Sequence, residues 1–414
     1  MFSIKLGFKN LTRRKRRNII TALVIAFAFF AYLFLYSVMN GMEEMSFENI
    51  KNLETGDIRI TYPEYWEKRE ELSLENLIYL DQDVDESLEN IDGLSGISPE
   101  LRFSANLNNG IDELPVMGLG IDPEHYKEVF TTQKYLVAGS MFSLDEYKAV
   151  IGEKLAQLMD LKIDDYITLL VRTKDDTFNT IDVEIAGLLH TPHPMVNTGT
   201  VFVPLDIAQQ ALNVGNSVSL IAVKVKPGYE ENITETLNQN FRRKDLNLRA
   251  YSWRESAETV IALATAKKGG ISAILSIVLL IGIVGIVNNV ILSALERTEE
   301  IGMMKALGMR EMEIVLVFVV EATGIGVIGG LAGCLLGAAG VGWLVKYGFD
   351  LTYFYGDMSM SQFGIPILNK LYGVWNFSTF GFLFILGVTV ALLSSIAPAL
   401  WAARKDPVKA IYHR

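Results

Sequence analysis

Four stretches of this chain are almost continuously apolar: Ile19 to Met39, Gly269 to Leu295, Ile314 to Val345 and Leu371 to Trp401. Each exceeds the roughly 20 residues with which a helix crosses a hydrocarbon core, and only Glu321 interrupts them with a charge. The pattern predicts four transmembrane helices over 19–39, 269–295, 314–345 and 371–401, separated by polar stretches at 1–18, 40–268, 296–313, 346–370 and 402–414.

The stretch over 40–268 has a different texture. Alternating or β-branched runs at 56–60, 166–171, 181–189 and 219–225 read as strands, with Gly, Pro, Asn and Asp between them. Glu153 to Asp160, Pro204 to Leu212 and Glu230 to Phe241 have helical spacing. The fold class expected is therefore a membrane α-helical bundle of four transmembrane helices, with a large α+β domain and a helical stalk inserted between helices 1 and 2. That domain is long enough to bury its own core and holds no cysteine, since Cys334 lies in the third apolar run.

Composition and charge agree with this division. Half of the 414 residues are hydrophobic, more than an ordinary soluble enzyme carries. Residues 1–18 form a basic, amphipathic segment with seven Lys and Arg and no acid, and Arg404 to Arg414 is also basic, so both ends are expected in the cytoplasm. Residues 40–268 carry a net charge of −18 against −11 for the whole chain, and are expected on the far side. The first apolar run is too long for a signal peptide and has no small-x-small cleavage site after it, so it is expected to stay attached.

Sequence motifs argue against chemistry in this chain. A GxGxxG match at Gly324, Gly326 and Gly329 lies inside an apolar helix with no strand before it, so a nucleotide loop is rejected. Gly326 and Gly330, and Gly329, Gly333 and Gly337, repeat every four residues, which lets another helix approach closely in lipid. His190 and His193 have no evident third ligand and read as a solvated turn, so no metal is expected. No P-loop and no GxSxG occurs. Glu321 has two readings, a structural anchor near the cytoplasmic end of its helix or a direct mechanistic group.

The charged passage ERTEEIGMMKALGM, 296–309, then needs a purpose. As a helix from Glu296 to Leu307 it places Arg297, Glu300, Ile301, Met304 and Leu307 on one face, with Gly308 ending it in a left-handed turn. Such a knob suits docking into a groove on another protein. The alternative is an interfacial helix on lipid, for which a net-acidic element is poorly suited.

ERTEEIGMMKALGM resembles the coupling helix of FtsX-like ABC permeases, the group of MacB-type exporters and lipoprotein-releasing permeases, and APALWAARKDPVKAI over 397–411 is similar to that family's ending. The resemblance implies a non-catalytic subunit whose coupling residues are Glu296, Arg297, Glu300, Ile301, Met304, Lys305, Leu307 and Gly308. It implies as partners a cytoplasmic ABC ATPase dimer, which holds the ATP and Mg, and a second permease subunit in a homo- or heterodimer. The location implied is a bacterial inner membrane, and no nucleic-acid partner is expected.

Within the family, residues 39–60 and 204–225 resemble lipoprotein-releasing subunits, while 150–170 is a unit found across both groups. A chain without a fused ATPase is also similar to those subunits. They imply lipoprotein cargo whose acyl chains meet Phe34, Tyr36, Val38, Met39 and Met42 on helix 1 and Val260, Leu263 and Ile271 on helix 2. For each of these, ordinary lipid or helix contact is the competing reading. The hairpin over 169–187 departs from the carrier-recruiting subunit, being short and lacking proline, so a periplasmic lipoprotein carrier stays an open partner. A MacB-like exporter of peptides or small molecules and an FtsX-like regulator of a cell-wall hydrolase are the alternatives.

Overall fold

Long helices carry all four apolar stretches, and two of them run well past the predicted spans. The computed structural model describes residues 2–13, 15–88, 91–350 and 370–404. Over those residues it divides into a helical unit, within 2–43, 264–350 and 370–404, and an inserted unit, within 44–263. The expected loop at 346–370 and tail at 402–414 therefore lie, over 351–369 and 405–414, outside the described residues.

The helices of interest are α1 (Phe2–Arg13), α2 (Lys15–Ile50), α3 (Glu258–Glu296), α4 (Thr298–Ala306), α5 (Glu311–Tyr347) and α6 (Phe377–Ala403). Among the described residues, α2, α3, α5 and α6 are long and apolar enough to cross a membrane. Helix α2 continues past Met39 to Ile50 and closes with a π-helical turn, Lys51–Thr55, and α3 starts at Glu258 rather than 269. Helix α6 starts later than predicted, at Phe377 instead of Leu371. Lys370–Leu371 instead pairs with Phe349–Asp350 as a short ribbon, Ser37 Oγ donates to the Val374 carbonyl and accepts from its N–H, and the Asn376 side chain caps the helix through Thr379 N. Hydropathy sees only that 371–376 is apolar; it is blind to these polar ties.

Small residues let α5 sit inside the bundle. A Cβ at Gly333 would lie 2.5 Å from the Phe29 Cβ and 2.8 Å from the Ala26 carbonyl, at Gly329 2.8 Å from the Ala22 carbonyl, and at Gly337 2.6 Å from Leu33. Those three glycines admit α2. On the neighbouring row, Gly326 faces Ala391 of α6, and Gly330 faces Phe384 and Phe29. All five are buried, and close backbone approach is the main source of helix affinity where lipid is as apolar as the helices. Helix α1 packs on α5 in the same way, with Gly7 against Val320 and Leu11 against Gly324.

The inserted unit is built on ten strands: β1 (Ile58–Thr61), β2 (Leu94–Asn108), β3 (Glu113–Ile121), β4 (Leu136–Gly139), β5 (Lys148–Gly152), β6 (Tyr166–Arg172), β7 (Phe178–Leu189), β8 (Thr200–Pro204), β9 (Leu220–Val225) and β10 (Arg249–Ser252). Their order is β10-β1-β9-β2-β3-β8-β5-β7-β4, and β6 pairs both β2 and β7. Thus β2, β3, β8, β5, β7 and β6 close into a ring, which leaves none of them with a free edge. The pairs β3/β8 and β5/β7 are parallel and the other pairs of the ring are antiparallel.

Alternation explains the core. Along β2 the residues Leu101, Phe103, Ala105 and Leu107 are all buried while Ser104 and Asn106 are exposed, the period-two signature of a strand with one covered face. Amphipathic helices at Leu205–Leu212 and Glu230–Arg243 add Ala208, Leu212, Leu237 and Phe241 to the same core. The strands expected at 56–60, 166–171, 181–189 and 219–225 are present as β1, β6, β7 and β9. The hairpin of β6 and β7 turns over only 173–177, closed by Thr173 N donating to the Thr177 carbonyl with Asp176 at φ 61°.

Within this unit the chain arriving from α2 and the chain leaving toward α3 are held together. Phe47 and Trp253 meet at 5.4 Å between ring centroids, Ile50 and Ala257 are buried beside them, and Lys51 Nζ lies 5.5 Å over the Trp253 ring. The Ser252 hydroxyl accepts from Glu255 N while the Glu255 carboxylate accepts from Ser252 N, a capping box that starts the helix leading out.

Candidate coupling site

The helical path breaks at Arg297. Helix α3 ends at Glu296, Arg297 takes φ −112° and ψ 21°, and α4 begins at Thr298, so the predicted single helix from Glu296 to Leu307 is two elements joined at one residue. The far end matches the glycine argument. Gly308 has φ +90°, its N–H donates to the Lys305 carbonyl, and Met309 N donates to the Met304 carbonyl, the paired bonds of a Schellman motif.

The break turns the expected docking face inward. Arg297 is 2% exposed and Ile301 1%, so these two are not available to a partner as the sequence suggested. Ile301, with Met304 at its edge, packs against Ile314, Val315 and Phe318 of α5 and Ala399, Ala402 and Ala403 of α6. Arg297 reaches Glu321: Nη1 to Oε2 is 3.1 Å and Nη2 to Oε1 is 3.5 Å, with both side chains buried. Glu321 is therefore an anchor for the connection between α3 and α4. Sequence reasoning treated both residues separately, and neither spacing nor hydropathy pairs positions 24 apart.

What stays outside is a different set. Leu307 is 87% exposed, Met312 70% and Met303 53%, and Gly308 lies between them. Sequence reasoning missed Met303 and Met312; the signal available was that large apolar side chains flank the turn at 308. Lys305 pairs with Glu311 at 3.5 Å across that turn. The basic N-terminal segment supplies a second clasp, with Arg17 Nη1 2.6 Å from Glu296 Oε2 and Arg13 Nη1 3.2 Å from Glu300 Oε1.

Of the residues assigned to acyl chains, Phe34 and Tyr36 are engaged within the helical unit. Phe34 stacks on Phe30 at 5.7 Å, both facing Gly340 of α5, and Tyr36 stacks on Tyr32 at 6.0 Å. Phe34, Tyr36, Val38, Met39 and Met42 are all half-buried, as is Ile271, whereas Val260 and Leu263 are exposed.

The two histidines do not form a freely solvated turn. His190 Nδ1 lies 2.9 Å from Glu153 Oε2, and His193 Nε2 lies 2.9 Å from Glu54 Oε2 with its side chain only 17% exposed. Burial pushes the Glu54 carboxyl up, but the contact with His193 and the charges of His193, Arg59 and Arg102 outweigh it and lower it to about 2.

Comparison with known proteins covers most of the chain. Residues 19–239 match the family of MacB-like periplasmic core domains, and residues 272–407 match the FtsX-like permease C-terminal family. An uncharacterised ABC transporter permease of Methanocaldococcus jannaschii is 23% identical over 352 residues, covering 81% of this chain and 82% of that one. Macrolide export ATP-binding/permease proteins of Bartonella henselae and Aeromonas hydrophila are 24% and 25% identical across 96% of this chain, which spans 57% and 58% of their lengths. Among solved structures, the periplasmic region of MacB from Actinobacillus actinomycetemcomitans aligns with a TM-score of 0.36 at 14% identity, over 52% of this chain and 97% of that one.

Proposed function

We propose that this chain, which belongs to the FtsX/MacB-type family of ABC transporter permeases, transmits force from a separate cytoplasmic ATPase to its inserted domain. ATP closure on the partner moves the exposed cluster of Met303, Leu307 and Met312. The Arg297–Glu321 pair and Ile301 tie α4 to α5, so the shift passes into the long helices without being absorbed at the joint. The observation that carries this reading is that joint: a short element pinned to the bundle on one side and apolar on the other. The basic segments at both ends then lie in the cytoplasm, and the inserted domain on the far side of the membrane.

For cargo, the reading retained is extraction of lipoproteins from the outer leaflet of an inner membrane. Its support is the resemblance of 39–60 and 204–225 to lipoprotein-releasing subunits. Drawing acyl chains from lipid costs about 0.8 kcal/mol per methylene, which calls for ATP. A second permease copy or subunit completes the path. MacB-like export of peptides or small molecules is the second reading, favoured by macrolide export proteins that align across nearly the whole chain.

The decisive experiment is co-purification of the chain with its cognate ATPase, followed by mass spectrometry of bound acylated protein. Lipoprotein recovered in one nucleotide state supports extraction. Continued release of a reporter lipoprotein in cells lacking this chain, with no acylated protein bound in any state, overturns it and leaves macrolide efflux as the assay to run.

A further inference from the structure

Helix α1 has three different sides. Gly7 and Leu11 meet Val320 and Gly324 of α5, and Asn10 is buried on the same side. Ile4 and Phe8, four residues apart, are 43% and 58% exposed although both are large and apolar. Lys5, Lys9 and Arg13 form the third side, again at four-residue spacing and all exposed. At 1.5 Å of rise per residue the two lysines stand about 6 Å apart along the helix, directly beside Ile4 and Phe8.

The protein answers only part of the charge. Residues 1–18 hold seven Lys and Arg and no acid. Glu300 takes Arg13 at 3.2 Å and Glu296 takes Arg17 at 2.6 Å, which leaves the segment positive, and among the described residues Lys5 makes no ion pair. The side chain of Arg13 stays 66% exposed even in its pair. Val320 and Gly324, which α1 covers, belong to the apolar run that starts at Ile314, and the chain enters its first apolar run at Ile19, soon after α1 ends. At the margin of such a bundle, a helix with an apolar edge next to a basic one lies with the first among acyl chains and the second at the headgroups.

We propose that α1 binds an anionic phospholipid, whose phosphodiester takes Lys5 and Lys9 and whose acyl chains lie along Ile4 and Phe8. A zwitterionic headgroup is disfavoured because it brings its own cation to the same basic row. A free phosphate satisfies the lysines but leaves Ile4 and Phe8 uncovered. The site is independent of the cargo moved and of which leaflet α1 meets.

Native mass spectrometry of the full chain in detergent micelles, with equimolar phosphatidylglycerol and phosphatidylcholine of matched acyl chains, reads this competition. Basic residues near a membrane surface attract anionic lipid at about five-fold in affinity each, so phosphatidylglycerol is expected to be retained at least about five-fold over phosphatidylcholine. Lys5→Gln with Lys9→Gln is expected to bring the ratio close to one; both side chains are exposed and glutamine is a good helix former, so the fold is kept. Lys267→Gln with Lys346→Gln removes the same charge from the opposite ends of two apolar stretches and leaves the ratio unchanged. Glycerophosphoglycerol, the same headgroup without chains, does not displace the lipid at equal concentration. Equal retention of the two lipids, an unchanged ratio in the Lys5 and Lys9 variant, an equal fall in the Lys267 and Lys346 variant, or displacement by the soluble headgroup would each overturn the proposal.

Discussion

Arg297 and Glu321 grip each other inside the helical bundle, with two nitrogen-to-oxygen contacts at 3.1 and 3.5 Å. One residue sits at the break between α3 and α4, and the other lies on α5. Removing a single partner strands a buried charge, which costs about 3–5 kcal/mol, whereas replacing both by apolar residues is often neutral. Glu321→Ala is therefore expected to lower the melting temperature and abolish coupled transport, and Arg297→Met with Glu321→Leu to recover most of the stability. A double-mutant cycle in thermal unfolding checks this; additive losses would rule out the pairing.

Coupling to the ATPase is expected to fail before folding does when the exposed cluster is charged. Leu307→Asp with Met303→Asp adds carboxylates at surface positions, where stability changes are usually within about 0.5 kcal/mol. ATP hydrolysis by the assembled complex is expected to lose its dependence on cargo, with expression and melting unchanged. Normal transport by this variant would remove α4 and its turn from the coupling path.

Two glycines of the same helical unit should respond oppositely to alanine. At Gly333 an added methyl meets the Phe29 Cβ at 2.5 Å and the Ala26 carbonyl at 2.8 Å, so α2 must move and the bundle loses stability. At Gly269 on α3 nothing lies within 4 Å, and Gly269→Ala is expected to gain about 0.5–1 kcal/mol from helix propensity. Melting of the two variants side by side gives the comparison.

Acid should unlock the Glu54 contact. Its folded value is about 2 against the ordinary 4.5, so the native state holds its proton less tightly than the unfolded chain does. The stabilisation is present above pH 4.5 and is lost as pH falls toward 2. Urea unfolding followed over that interval is expected to show a shallower acid loss in Glu54→Gln than in the parent chain. Parallel curves would mean that His193 and the arginines do not hold the carboxylate.

The spans, the inserted domain and four of its strands were legible because each rests on a local signal: apolar length, period-two alternation, or a glycine after a helical run. The turn at Gly308 is of this kind. The ends of the helices were less legible, because Ser37 and Asn376 fix them through hydrogen bonds that hydropathy does not register. The coupling face was misread for a related reason. A single helix from 296 to 307 puts Arg297 and Ile301 outward, and only the break at Arg297, stabilised by a residue 24 positions away, rotates them into the bundle. The charged cluster around Glu54 was out of reach, since Arg59, Arg102 and His193 come from three separate segments that meet only in the folded domain.

The pairing of β1 with β10 bears on how the inserted domain takes a load. Strand β1 follows the π turn that closes α2, and β10 directly precedes the turn into α3; the two lie antiparallel with Ile58 opposite Ser252 and Thr61 opposite Arg249. Tugging both at that shared end carries the pair along as one piece. A tug on one alone slides the strands lengthwise, so the rungs resist together and none can be unzipped before the others. That ladder is thereby indifferent to common displacement of its two tethers and responsive to the difference between them.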